Sequence, residues 1–328
     1  MNGCIGVVTA VAAIPGADRI QSVTVICGRG GKWRGVASKA LNVEDKCEVF
    51  LPDCLLPQTP RFEFMKTHGY RVKMMRFKGV ASECLIMPLA DETCGLEIGT
   101  SLDEIYGLQK YEKTLPMNNS EICGPFTDLI SKTNEPNYQT VPEIVAAVFS
   151  TDWQATVKYD GSSLTVVQAE EGLRVFSRNY EIRKGNNWAW NIAQKYDMQK
   201  NIPPGNILQM EAIGPGIQKN PLGLESLEAR VFNWKVWGAD DVDVPTTYML
   251  GETLFGIPCA EIHLIGSCRP TVPEPEELLS MANFKYANGR PAEGLVFRPF
   301  LPRKHGIPTR NELGERLSFK VINLNYER

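Results

Sequence analysis

The chain has 328 residues and a mass of 36.6 kDa, more than one hydrophobic core usually fills, so two domains are expected. Hydrophobic residues make up 43% and charged residues 22%, which excludes disordered, collagen-like and coiled-coil chains. The formal charge of −3 and pI near 5.8 exclude bulk attraction to nucleic acid or acidic membrane, so any polyanion site must be local.

The first residues, MNGCIGVVTAVAAIPGAD, lack a leading Lys or Arg and are interrupted by Pro15 and Gly16, which favours a strand and turn over a signal peptide. No apolar stretch is long enough to span a membrane. Six short apolar runs follow within the first hundred residues, at 5–11, 22–27, 33–37, 47–52, 71–77 and 83–89, and predict a small all-β barrel or sandwich. Residues 61–78 hold six basic side chains (Arg61, Lys66, Arg71, Lys73, Arg76, Lys78) against one acid, interleaved with Phe62, Phe64, Tyr70 and Phe77. Cations that follow a phosphate backbone, alternating with aromatics on which bases stack, suit single-stranded nucleic acid; a solvated basic face over buried aromatics is the equal alternative.

Between about 111 and 142 the chain turns rich in Pro, Asn, Ser and Thr, which predicts an inter-domain connection carrying a short helix at 125–132. Strand signals then resume (ATVKYD, SLTVVQ, LRVFSR, NILQMEAIG, ARVFNWKVW, GLVFRP, LSFKVI), with helical stretches near 186–199 and 274–287. Without strict βα alternation this reads as an α+β domain on antiparallel sheets. The expected division is 1–112 and 113–328. Nine scattered cysteines with no CxxC pair, and only three histidines, argue for reduced thiols in a cytoplasm-like compartment and against a zinc site.

The most informative string is Thr156-Val157-Lys158-Tyr159-Asp160-Gly161. A lysine at the end of an apolar strand, before an Asp-Gly turn, sits at a partly desolvated edge; desolvation and a nearby divalent cation both favour the neutral, nucleophilic amine. Taken alone, the string also fits a surface strand ending in a turn.

Here the chain resembles the covalent nucleotidyltransferases, the polynucleotide ligases and mRNA capping enzymes. Lys158, Asp160 and Gly161 match the motif whose lysine becomes nucleotidylated; Ser177-Arg178-Asn179 the next, whose arginine contacts phosphate; Glu211 and Gly214 the third, whose glutamate contacts the ribose or a metal water. Phe232 resembles the base-stacking aromatic, with Trp234 its rival. Glu293-Gly294 match the fourth motif and Lys320 the fifth, whose lysine contacts the α-phosphate. The resemblance implies an ATP/AMP site of Val157, Lys158, Gly161, Arg178, Glu211, Phe232, Glu293 and Lys320, with Asp160, Glu211 and Glu293 serving Mg²⁺ or Mn²⁺. Met210 stands where many relatives have Gly, Ser318 where Lys is common, and Asn134 where Asp is frequent.

GPGIQKNP and SKTNEPNYQ resemble RNA ligases in particular. The chain ends eight residues past Lys320, where DNA ligases and capping enzymes usually carry an OB domain. An OB-like front half before a ligase domain resembles the fifth family of ATP-dependent RNA ligases. That resemblance implies sealing of 3′-hydroxyl and 5′-phosphate RNA ends, at a duplex or splinted nick and in RNA repair, through lysyl-AMP and RNA-adenylate, by a monomer. A DNA ligase, a GTP-dependent capping guanylyltransferase and a non-catalytic OB-containing RNA-binding protein are the alternatives.

Overall fold

A computed structural model describes residues 1–111, 119–237, 255–300, 310–311 and 314–326. The chain forms two units, Met1–Lys113 with Tyr138–Pro142, and Thr114–Asn137 with Glu143–Arg328. The expected junction at 112/113 lies outside the described residues.

In the first unit, β1 (Gly3–Ala13), β2 (Ile20–Cys27), β3 (Gly31–Ser38), β4 (Lys46–Phe50) and β5 (Leu85–Pro88) form an antiparallel sheet in the order β3-β2-β1-β4-β5. Its ends meet: Gly35 bridges Cys84 in parallel, and the Glu83 amide donates to the Arg34 carbonyl at 2.8 Å. The result is the partly closed five-stranded barrel of an OB fold. The expected strand over 71–77 is confined to Met75–Phe77, paired with Val80–Ser82. Ahead of it, Pro60–His68 wind into a 3₁₀ helix that Pro60 starts and Gly69, at φ 62°, ends.

Four buried thiols (Cys4, Cys27, Cys47, Cys84) line the barrel core beside Trp33 and Val49, and Cys54 lies in the adjoining cluster around Phe50 and Phe62. Cys259 is buried in the second unit, whereas Cys94, Cys123 and Cys268 are exposed; all nine are free.

The second unit holds two antiparallel sheets. The larger joins β6 (Ile122–Pro125), β8 (Ser162–Ala169), β9 (Gly172–Phe176), β10 (Tyr180–Ile182), β11 (Asn206–Ile213) and β12 (Glu228–Val236) in the order β6-β10-β9-β8-β11-β12. The smaller joins β7 (Trp153–Lys158), β13 (Ile262–Gly266), β14 (Gly294–Pro299) and β15 (Phe319–Ile322) in the order β13-β7-β14-β15.

Helices cover one face of each sheet. Helix α1 (Pro142–Phe149) places Phe149 against Trp153 and Phe297, which in turn stacks on Phe319 at 5.0 Å. Helices α2 (Trp188–Lys195) and α3 (Met198–Asn201) pack on Leu164, Val166, Leu208, Met210 and Val231. The single helix expected at 186–199 breaks at Asp197, which takes a left-handed φ of 46°. The one expected at 274–287 is limited to α4 (Pro275–Met281).

No helix forms at 125–132, a correction to the sequence reading. Strand pairing claims that backbone instead: Pro125 pairs with Tyr180 and the Phe126 amide donates to the Asn179 carbonyl at 2.9 Å. Phe126, Leu129 and Ile130 then pack on Val167, Phe176 and Ile207 without a helix.

Candidate active site

Lys158 is the last residue of β7, and four residues later, at Ser162, the chain enters β8, so the Lys-Tyr-Asp-Gly turn is the crossover from the smaller sheet to the larger. Cross-strand partners share a face. Through the register, Gln154, Thr156 and Lys158 of β7 lie on the same face as Arg298, Val296 and Gly294 of β14, and Lys320 of β15 pairs with Val296. The opposite face carries Trp153, Ala155, Leu295, Phe297, Phe319 and Val321, all buried. In the larger sheet, Ser163, Glu211 and Arg230 are lateral partners on the face away from the helices. Alternation thus brings Lys158 and Lys320 onto one polar face, and Glu211 onto the corresponding face of the larger sheet.

The Lys158 Nζ donates to Glu293 Oε2 at 2.7 Å, and Glu293 is 1% exposed. Tyr286 braces this pair from behind: its hydroxyl donates to the Lys158 carbonyl and accepts from the Glu293 amide, each at 3.3 Å. The Gly161 amide donates to Glu211 Oε1 at 3.1 Å, and Gln218 Nε2 donates to the Gly161 carbonyl at 2.7 Å. Asp160 Oδ2 accepts from the Tyr326 hydroxyl at 2.7 Å. Burial, then this bond to Asp160, pushes the Tyr326 phenol above its ordinary range.

Two motif glycines are sterically obligatory. A Cβ on Gly161 would sit 2.2 Å from the Ala212 carbonyl oxygen and 2.7 Å from Glu211 Cγ; on Gly294, at φ 148°, it would sit 2.1 Å from the Val321 carbonyl oxygen. Each glycine lets a neighbouring strand approach beside an acidic or basic site residue.

Desolvation pushes Glu211 up to about 8; the charges of Glu293 and Asp160 add to this, while Lys158 and the Gly161 amide oppose it. Three carboxylates gathered around one amine are a donor set of hard oxygens. Among the described residues, no group of three His, Cys, Asp or Glu side chains is close enough together to hold a metal ion directly.

Phe232 is half-buried and packs against the cluster of Val157, Tyr159, Ile213 and Ala260, next to the lysine. Its carbonyl accepts from Arg298 Nη1 at 2.7 Å. Trp234, the rival, belongs to the helix-side core: it packs edge-on to Phe255, and its Nε1 donates to Asn206 Oδ1 at 2.6 Å. Arg178 lies between β9 and β10 and donates to the Thr133 carbonyl at 3.0 Å. The Lys320 amide donates to the Pro136 carbonyl at 2.8 Å, so the SKTNEPNYQ segment lies against the strand that carries Lys320.

That segment also supplies Glu135, which pairs with Arg298 Nη2 at 2.7 Å and accepts from the Ser318 hydroxyl. Against the cost of desolvation, the Arg298 guanidinium beside it holds Glu135 below the usual carboxylate range. Sequence reasoning did not single out Glu135, Arg298, Gln218, Tyr286 or Tyr326. Glu135 and Gln218 lie in the two strings that set the RNA ligase resemblance; the two tyrosines carry no local signal.

In the first unit the basic stretch divides. Arg61 pairs at 2.7 Å with Glu48, which is wholly buried and also accepts from the Thr93 and Tyr106 hydroxyls. Arg71 pairs with Asp53 and lies 3.9 Å over the Tyr111 ring. Phe62 and Tyr70 are core residues, whereas Phe64 is exposed. Lys66 bonds Glu63, Arg76 the Gly79 carbonyl and Lys78 the Gly16 carbonyl, all at the surface.

The sequence profile of the RNA ligase family matches residues 151–322, just over half the chain, and that of an OB-fold domain matches residues 3–89. Among solved structures, Naegleria gruberi RNA ligase with AMP and Mn is similar at a TM-score of 0.78 and 25% identity, over 98% of this chain and 96% of that one. The same ligase with PPi gives a TM-score of 0.76 at 25% identity, over 98% and 96% of the two chains. A complex of it with ATP and Mn gives 0.78 at 24% identity, over 98% and 97%. No curated protein matches. With Lys158, Asp160, Glu211 and Glu293 gathered at the crossover between two sheets, and its profile match running from just before β7 to the end of β15, the chain belongs to the RNA ligase family.

Proposed function

We propose that this RNA ligase joins a 3′-hydroxyl to a 5′-phosphate RNA end at the expense of ATP, with Lys158 as the covalent nucleophile. The observation that carries the reading is the Lys158–Glu293 pair at the sheet crossover, with Asp160 and Glu211 on the adjoining turn and strand. The Lys158 amine attacks the α-phosphorus of ATP; the N–P bond forms, the bond to pyrophosphate breaks, and the amine proton passes toward the Glu293 carboxylate it already touches. An oxygen of the RNA 5′-phosphate then takes AMP from the lysine, which recovers a proton. Finally the 3′-hydroxyl oxygen attacks the phosphorus of that 5′-phosphate and gives up its proton to solvent, while the anhydride bond to AMP breaks and AMP departs.

Each transfer builds negative charge around phosphorus, so positioning and fixed cations do most of the catalysis. Lys320, on the lysine-bearing face of its sheet, and Arg178 are assigned to the phosphate, and Phe232 to the adenine. The carboxylates of Asp160, Glu211 and Glu293 suit hydrated Mg²⁺ or Mn²⁺, which would supply further positive charge to the phosphate oxygens. The similar Naegleria complexes with ATP, AMP, PPi and Mn support this assignment.

The OB unit is assigned to the RNA strand that offers the 3′-hydroxyl, through Lys66, Lys73, Arg76 and Lys78. Arg61 and Arg71 are held by Glu48 and Asp53 within the unit. Among the described residues no helix is long and apolar enough to cross a membrane. We assign the chain to cytoplasmic RNA repair, acting as a monomer on duplex or splinted nicks.

Incubation with α-labelled ATP or GTP and a divalent ion, followed by sealing of nicks with RNA or DNA on each side, tests the reading. Label from ATP on Lys158 and sealing of RNA are expected. Label from GTP alone, or preference for an all-DNA nick, would overturn it.

A further inference from the structure

We infer that Tyr326 is a positioning residue for lysine adenylylation, acting through Asp160. The inference rests on the ligase chemistry proposed above and adds to it the segment that follows β15. Asp160 sits on the turn between two sheets, and a turn alone fixes a carboxylate poorly. The Tyr326 hydroxyl donates to Oδ2 at 2.7 Å, which fixes the carboxylate plane and leaves Oδ1 for the nucleotide or the water of a bound ion. A tyrosine suits this role, because its rigid ring has only two side-chain torsions and here is 6% exposed.

The ring is itself anchored. The Tyr326 amide donates to the Asn323 carbonyl at 3.0 Å, and fully buried Asn323 grips the chain beside a second of the three site carboxylates. Its amide donates to the Glu293 carbonyl at 3.0 Å, and its Nδ2 donates to the carbonyls of Ala292 at 2.9 Å and Phe284 at 3.2 Å. One short stretch therefore holds Glu293 by its backbone and Asp160 by its carboxylate, immediately after the strand that carries Lys320. Supporting residues of this kind typically matter by about 10–100-fold, because small displacements of a reacting group are costly.

The test is a double-mutant cycle on the full chain: wild type, Tyr326→Phe, Asp160→Asn and the double variant. The single-turnover rate of Lys158 labelling from α-labelled ATP is read with KM for ATP and the thermal unfolding temperature. Tyr326→Phe is expected to slow labelling about tenfold, with KM within about twofold and unfolding unchanged, and to cost nothing further in the Asp160→Asn background. A wild-type rate in Tyr326→Phe, or an equal loss with and without Asp160, would overturn the inference. Should Tyr326→Phe also lower the unfolding temperature, the Asp160→Asn background still decides, since a merely structural loss persists there undiminished. Absence of label on the wild-type protein would instead remove the ligase chemistry, and this inference with it.

Discussion

The Nζ of Lys158 and Oε2 of Glu293 lie 2.7 Å apart although 135 residues separate them, because β7 and β14 are antiparallel neighbours in which Lys158 pairs with Gly294. Glu293 reaches the amine from the residue just before its strand begins. The pair is thus set by strand register, and shifting β14 by one residue would turn the carboxylate away.

Glu293→Gln keeps the shape of that contact and removes its charge and its capacity to take a proton. Lysine labelling should fall by about 10²–10⁴-fold while folding is retained, and Lys158→Ala should abolish both labelling and sealing. Mass spectrometry of the labelled protein and a nick-sealing assay measure the two effects.

Phe232 and Trp234, two residues apart on β12, should respond differently to truncation. Phe232→Ala should raise KM for ATP about tenfold with little change in unfolding, since the ring is half-buried beside Val157. Trp234→Ala removes a half-buried ring packed on the helix-side core, together with its hydrogen bond to Asn206, and should instead cost about 1–3 kcal/mol of stability. Urea unfolding read beside ATP titration separates them.

Arg298 and Glu135 form an ion pair that reaches both sheets, since Arg298 also donates to the Phe232 carbonyl. Arg298→Met takes the ion-pair partner from Glu135 and leaves it only the field of Arg316, which should destabilise the second unit by about 2–4 kcal/mol. Adding Glu135→Leu should recover much of that stability. It should not recover ATP affinity, because the donor to Phe232 is still missing.

Glu83 gives a pH signature to the OB unit. Burial pushes its carboxyl up to about 7, against hydrogen bonds from the Arg34 amide and Gln139. A carboxyl raised in the folded state holds its proton where the unfolded chain has lost it, so stability falls as pH rises from about 4.5 to about 7. Chemical unfolding at pH 5 and pH 8 should show that fall in the wild type, and a smaller one in Glu83→Gln.

The basic stretch should also divide under mutation. Lys73→Ala and Arg76→Ala should each lower the salt slope of RNA binding by about one, leaving unfolding unchanged. Arg61→Ala strips buried Glu48 of its cation and should be read chiefly in stability, by about 3 kcal/mol or more.

The motif residues were legible because this chemistry needs particular groups in a fixed order, and glycines such as Gly161 and Gly294 that no larger residue can replace. The apolar runs announced the strands for the same local reason. Partners were illegible wherever they come from afar. Nothing near Arg61 in the sequence distinguishes a cation that faces RNA from one that neutralises Glu48, since the difference lies in how the 3₁₀ helix lies against β4 and β5. Tyr286 and Tyr326 resemble any other aromatics until the strands bring them to Lys158 and Asp160. The missed turn at 125–132 has helical apolar spacing, but Tyr180 and Asn179 capture its backbone first.

The distribution of thiols makes the chain its own reporter of local opening. Five of the six sealed sulfurs (Cys4, Cys27, Cys47, Cys54 and Cys84) belong to the OB unit, and Cys259 alone to the ligase unit. An alkylating reagent will consume the exposed Cys94, Cys123 and Cys268 first, after which each further adduct marks an excursion of one identifiable half. Peptide mapping of those slower adducts therefore ranks the two halves by how readily they breathe, with no reporter residue engineered into the chain.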